Sequence, residues 1–209
     1  IDSTNNYLLN LVKLESPAEF TLVTAYEQQL GRGFGENVWE SQTGKNLTLS
    51  MVFYPDFVLP NHIFCFNMCV ALAVSDMVRS FISNLTVTVK WPNDIYVEDK
   101  KIAGILIENG FMDNKLKYSI AGIGVNINQE AFVSDASNPV SVKQILQQDI
   151  DLEVALQSLG NSLIERYMQL KDDGLDAIRK TYHERLYKVN TSAKFKTMKE
   201  FNAEIKGVD

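Results

Sequence analysis

The chain has 209 residues, 45% of them hydrophobic and 22% charged, with a formal net charge of −6. That is enough for one sizeable globular domain plus a small appendage. The acidic balance and the absence of a long basic run argue against a nucleic-acid partner. The most apolar stretch, Ile63 to Val74, ends at Asp76 and Arg79, too soon to span a bilayer, so it reads as a buried helix with no membrane partner.

In chain order, Ser3 or Thr4 can cap a first helix whose apolar face carries Tyr7, Leu8, Leu11 and Val12. Pro17 closes that segment, and Phe20 to Tyr26 reads as a strand. A glycine-rich loop follows, G-R-G-F-G-E-N-V-W from Gly31 to Trp39. Leu47 to Tyr54 is a second strand. Asn61 can cap a long apolar helix to about Ser83. Its H-x-x-C-x-x-x-C spacing (His62, Cys65, Cys69) could face one ligand, but the neighbours Phe64, Phe66 and Met68 favour core packing. Two cysteines make no disulfide framework, and with no signal-peptide pattern a reducing cytoplasm is the expected location.

Three short strands then follow, Thr86–Trp91, Ile95–Glu98 and Ile102–Asn109, the last two joined by a polar turn at Asp99-Lys100-Lys101. A strand from Tyr118 to Val125 runs into G-I-G-V-N-I-N. The period turns helical from Ser141 to Gln148, from Leu152 to Lys171 and from Gly174 to Leu186, and returns to alternation after Ser192. Clustered strands with hairpin-length links and flanking helices predict an α+β fold with a mixed sheet. The domain boundary is expected near Tyr187 to Ser192.

Common nucleotide and catalytic motifs fail. G-R-G-F-G-E has Glu36 where a dinucleotide fingerprint needs glycine, T-G-K-N lacks the first P-loop glycine, and only two histidines occur. What remains lies at strand ends. Gly31-Arg32-Gly33, after Gln28, can bring backbone N–H groups and a guanidinium to an anion, or be a flexible hairpin loop. Lys90-Trp91-Pro92-Asn93-Asp94 ends an alternating strand, with Lys90 on the face of Thr86 and Thr88; its plain alternative is a solvated strand end. Gly122, Gly124 and Asn126 share one face, where missing side chains leave room for a ligand or for another backbone.

Taken in order, the S-T-N start, Q-x-x-G-R-G with Trp39 six residues on, K-W-P-N-D, K-I-A-G-I-L-I-E and G-I-G-V-N-I-N together resemble the biotin–protein ligase family. The resemblance covers Asp2 to about Leu186 and implies a biotin–lipoate ligase fold, similar to class II synthetases. Residues 1–187 would form the catalytic domain, in a short form without a DNA-binding unit. Residues 188–209 would begin a small SH3-like β domain that stops short. The implied activity joins biotin to ATP as biotinyl-5′-AMP, then passes biotin to a lysine of a biotin carboxyl carrier domain. ATP and Mg²⁺ are implied, with no protein ligand assigned to the ion. A homodimer through a sheet edge is compatible.

By position, the resemblance places Ser3, Thr4, Gln28, Gly31, Arg32, Lys90, Ile95, Gly122 and Gly124 around biotin, and Gly33, Trp39, Asn93 and Asn126 around the adenylate. Lys90 and Arg32 would be the catalytic cations, and Trp39 would stack on adenine. The family loop often carries further arginines where this chain has Phe34 and Asn37, so weaker retention of the adenylate is expected. Competing readings are a lipoate–protein ligase or octanoyltransferase, and a biotin-binding sensor without turnover.

Overall fold

The structure is a computed structural model that describes residues 1–33, 35, 37–133, 138–196 and 200–208. One six-stranded sheet organises it. In spatial order the strands are β1 (Leu22–Thr24), β2 (Leu47–Phe53), β6 (Lys115–Val125), β5 (Lys100–Met112), β4 (Asp94–Val97) and β3 (Val87–Lys90). Neighbouring strands pair antiparallel throughout. Parallel bridges, Val89 to Leu186 and Lys101 to Pro139, add the mixed element at its margins. The hairpin turn before β5 is Glu98-Asp99, with Glu98 at φ 53°, so Lys100 and Lys101 belong to the strand and not to the turn.

The two faces of the sheet differ because its strands alternate. One face presents Leu47, Leu49, Met51, Ile123, Val125, Ile105, Ile95 and Val97 to the main core. There it packs on α2 (Ile63–Phe81), α4 (Leu152–Asp172) and α5 (Leu175–Glu184). Cys65 and Cys69 are buried in α2, and burial pushes the Cys69 thiol strongly upward, which keeps it protonated and suits packing. Among the described residues no group of His, Cys, Asp and Glu could hold a metal. By length and composition Pro60–Phe81 could cross a bilayer, more than the sequence suggested, but 67% of its most apolar window is buried in this fold.

The opposite face is partly covered by α1 (Thr4–Glu15), through Leu8 on Val52 and Ile120. Tyr7, expected on the buried side of α1, is 51% exposed. β1 is shorter than Phe20–Tyr26, because Phe20 (φ 65°) leaves the strand to wedge between Phe53 and Tyr167 at 5.7 and 5.4 Å. A short helix α3 (Val142–Leu146) starts on a capping box formed by Ser141 and Gln144.

Asp76 of α2 accepts from Arg166 of α4 and from Arg185 at the end of α5, so one carboxylate ties three elements together. The same end then runs beside β3, where Val89 N–H donates to Arg185 O and Tyr187 N–H to Val89 O. Beyond it, β7 (Ser192–Lys196) and β8 (Glu200–Glu204) form a separate two-stranded sheet.

Candidate active site

The uncovered part of the second face is a row of cross-strand partners. Thr48, Gly124, Gly104, Asp94 and Lys90 face one another across β2, β6, β5, β4 and β3. Beside them run Ser50, Gly122 and Leu106. Small and polar residues at alternate positions leave this face hollow, while the apolar residues between them point to the core. A cavity of about 580 Å³ lies over the row, within the range of small-molecule sites. Ser3, Thr4, Gln28, Arg32, Gly33, Trp39, Lys90, Asn93, Gly122 and Gly124 all contribute to its lining.

The loop from Gly31 to Trp39 is closed at its base. Arg32 and Val38 form an antiparallel bridge, Trp39 N–H donates to Gly31 O at 2.9 Å, and Gly33 N–H donates to Asn37 O at 2.8 Å. The Gly33 N–H, expected to be free for an anion, is therefore used within the loop. Gly31 is needed where the strands of the loop meet: a Cβ there would collide with the Trp39 carbonyl. Phe34, one of the two positions lacking the family's arginines, lies outside the described residues.

Both glycines of G-I-G are seats for protein side chains. A Cβ on Gly124 would collide with the Trp39 indole, 2.6 Å from Cζ2 and closer still to Cε2 and Nε1, and one on Gly122 would lie 2.8 Å from the Asn5 amide carbon. The room expected there for a ligand is occupied by Trp39 and Asn5, which themselves line the cavity. Trp39 spreads over Gly104 as well, with Lys101 Nζ 5.8 Å from its ring.

At the end near α1, polar groups interlock. The Thr4 N–H and hydroxyl both donate to Gln28 Oε1, at 2.8 and 3.1 Å. The fully buried Ser50 hydroxyl lies 2.7 Å from Thr4 Oγ1 and also touches Asn5 Oδ1. Ser3, 3% exposed, lines the cavity beside them.

Of the cations, Arg32 stands beside α1, bonded to Asn6, whereas Lys90 and Lys101 belong to β3 and β5. Lys90 Nζ donates to the Tyr96 hydroxyl at 3.1 Å and sits 4.8 Å from that ring's centre. Lys101 pairs with Asp94 at 2.7 Å, and Arg32 pairs with Glu108 at 3.2 Å. The described lining thus holds Arg32, Lys90 and Lys101 against the single carboxylate of Asp94. In a chain of net charge −6 this is a local inversion, and it favours an anionic ligand.

Gly31, Ile95 and Asn126 are not among the residues lining this cavity, and Asn93, which is, also serves the fold. Ile95 is fully buried in the main core, because Asp94 and Tyr96 on either side of it face the cavity and alternation turns Ile95 away. Asn93 fastens the β3–β4 hairpin to β5, its side-chain amide donating to Ile105 O and its backbone carbonyl accepting from Ile105 N–H. Asn126 donates to Val140 O at 3.2 Å and lines a smaller recess of about 50 Å³ on the far side of Trp39, with Glu40, Lys101 and Phe132. Two polar atoms of its lining residues, Trp39 Nε1 and Asn126 Oδ1, are buried without a hydrogen-bond partner. Asn5, Ser50, Tyr96, Lys101 and Glu108 carry much of the geometry and had no role assigned from sequence, although Asn5 closes S-T-N and Lys101 and Glu108 bound K-I-A-G-I-L-I-E. The period-two row through Thr48 and Ser50 is the sequence signal for Ser50.

Residues 1–126 match the Biotin/lipoate A/B protein ligase family. The bifunctional ligase/repressor BirA of Bacillus spizizenii is 28% identical over 216 aligned residues, which cover all of this chain and 65% of that protein. The Escherichia coli protein of the same name is 35% identical over 127 residues, 61% of this chain and 38% of its own length. A structure of biotin protein ligase from Aquifex aeolicus in complex with biotin and ATP superposes with a TM-score of 0.80 at 23% identity, covering all of this chain and 84% of that one. That likeness establishes the fold, and the chain spans about two thirds of its Bacillus relative.

Proposed function

Because the chain belongs to the biotin/lipoate A/B protein ligase family, we propose that it is an ATP-dependent biotin–protein ligase. The observation that carries this reading is one cavity with a hydrogen-bonding end at Thr4 and Gln28 and cations at Arg32 and Lys90, roofed by Trp39. A ureido ring with a carboxylate tail has that polarity: neutral donors and acceptors at one end, one negative charge at the other.

The chemistry needs no protein nucleophile. A biotin carboxylate oxygen attacks the α-phosphorus of ATP, the bond to the β-phosphate breaks, and pyrophosphate leaves. The acceptor lysine amine then attacks the acyl carbon and AMP leaves. Both steps gather negative charge at the phosphate, which Lys90 and Arg32 would neutralise. Ser3, Thr4 and Gln28 would hold the ureido group. Asn126 Oδ1, buried and unpaired near the Trp39 indole, fits a purine that stacks on the ring and donates to the amide oxygen. Mg²⁺ would arrive on the ATP phosphates, since Asp94 is the only carboxylate among the described lining residues and is already paired with Lys101.

A biotin carboxyl carrier domain is the proposed acceptor, residues 1–187 the proposed catalytic domain and 188–209 the start of a second unit. Buried, unpaired cysteines suit a reducing compartment. The test offers the chain ATP, Mg²⁺, labelled biotin or lipoate, and a carrier domain. Biotin-specific labelling of one carrier lysine is expected. Lys90→Ala should lose about 100-fold in rate, as for removal of one transition-state donor, with Lys171→Ala unchanged. Labelling by lipoate alone, or equal rates for the two variants, would overturn the reading.

A further inference from the structure

Arg32 is the only arginine in the glycine loop, and its side chain is already held from outside that loop. Nη1 donates to Asn6 Oδ1 at 3.0 Å and Nη2 reaches Glu108 Oε1 at 3.2 Å. Both anchors are themselves fixed. Asn6 donates its amide to Asp2 at 2.8 Å, which turns its oxygen toward Arg32. The other Glu108 oxygen accepts from Asn5 Nδ2 at 2.8 Å, and Asn5 lies in the seat left by Gly122 with its oxygen on Ser50. A continuous series of contacts therefore runs from Arg32 through Glu108, Asn5, Ser50 and Thr4 to Gln28.

We infer that Glu108 is a positioning residue that holds Arg32 in its anion-binding pose before any ligand arrives. As a source of stability the pair is weak, because the Arg32 side chain is 46% exposed and solvent screens the charges. As a restraint it is effective. A free arginine loses much rotamer freedom on ordering, and that loss is charged against ligand affinity unless the side chain is ordered beforehand. A guanidinium has five N–H donors; Glu108 and Asn6 use two, which leaves three for a carboxylate or phosphate. A loop with several arginines can hold an anion by charge alone, whereas a loop with one depends on where that one stands.

The inference rests on the ligase reading for its consequence but not for its geometry, so two measurements separate them. In the ligand-free protein, Arg32 side-chain ¹⁵N–¹H signals, assigned by their loss in Arg32→Ala, should report a restrained guanidinium. They should become averaged in Glu108→Gln, which keeps the shape and removes the charge. Release of preformed biotinyl-AMP is then compared across Glu108→Gln, Arg32→Ala and the double variant. Glu108→Gln should speed release about 10-fold when Arg32 is present and less than about 2-fold in the Arg32→Ala background, the non-additivity of residues acting through one contact. Unchanged Arg32 signals, or an equal effect in both backgrounds, would overturn it. If the wild type makes no adenylate but the Arg32 signals behave as stated, the ligase reading fails and the positioning role stands.

Discussion

Gly124→Ala places one methyl group under the Trp39 indole. The new Cβ would stand 2.6 Å from Cζ2, against an ordinary contact of 3.4 Å or more, so the ring must move by roughly 1 Å. It cannot slide freely, because Trp39 N–H is bonded to Gly31 O and the ring also rests on Gly104. Unseating a half-buried indole forfeits about 1–2 kcal/mol of apolar burial, or about 10-fold in affinity for a ligand that needs the seated ring. The loss is local, since Trp39 lies outside the main core, so global stability should change by less than about 1 kcal/mol. The assay is tryptophan emission in a Trp91→Phe background, together with the ATP dependence of adenylate formation. A red shift, a raised KM for ATP and a near-constant urea midpoint are expected. Gly104→Ala, where the closest ring atom is 3.0 Å away, should show a smaller version. Unchanged emission and KM in Gly124→Ala would refute the seating of Trp39.

Gly160 lies inside α4 with nothing within 4 Å of an added Cβ, so Gly160→Ala should raise stability by about 0.5–1 kcal/mol, read as a higher urea midpoint at constant m-value. Burial alone would raise the Asp76 carboxyl, but hydrogen bonds and charge from Arg166 and Arg185 outweigh it and hold it below its ordinary value. Its stabilisation is therefore full above the unfolded value of about 3.9 and lost as pH falls through the lower folded value. Asp76→Asn should lower stability by about 2–3 kcal/mol at pH 7 by leaving two arginines without their carboxylate. The gap to wild type should narrow below about pH 4, and a constant gap across an acid titration would contradict the clamp.

The strands and long helices were legible because their periods are strong: Leu47–Phe53 and Leu152–Asp172 fall where alternation and the helical stripe put them. Phe20 misled because an aromatic next to β-branched residues reads as strand, while here it serves as a wedge between Phe53 and Tyr167. Ile95 shows the converse. Alternation in Asp94-Ile95-Tyr96 already turns it from the face that holds Lys90, and a role carried over by resemblance overrode that local signal. Gly122 and Gly124 read as room for a ligand or another backbone, whereas the room holds the side chains of Asn5 and Trp39, which sequence alone does not say. The Arg32–Glu108 contact joins a loop to a distant strand, and only the folded chain brings them together.

The central claim is tested most directly by mixing the purified chain with Mg²⁺, α-labelled ATP and unlabelled biotin, then separating the nucleotides. The account predicts biotin-dependent formation of labelled biotinyl-AMP with one pyrophosphate released per adenylate. Labelled AMP derivatives that form equally without biotin, or none with biotin when the protein is folded, would contradict it.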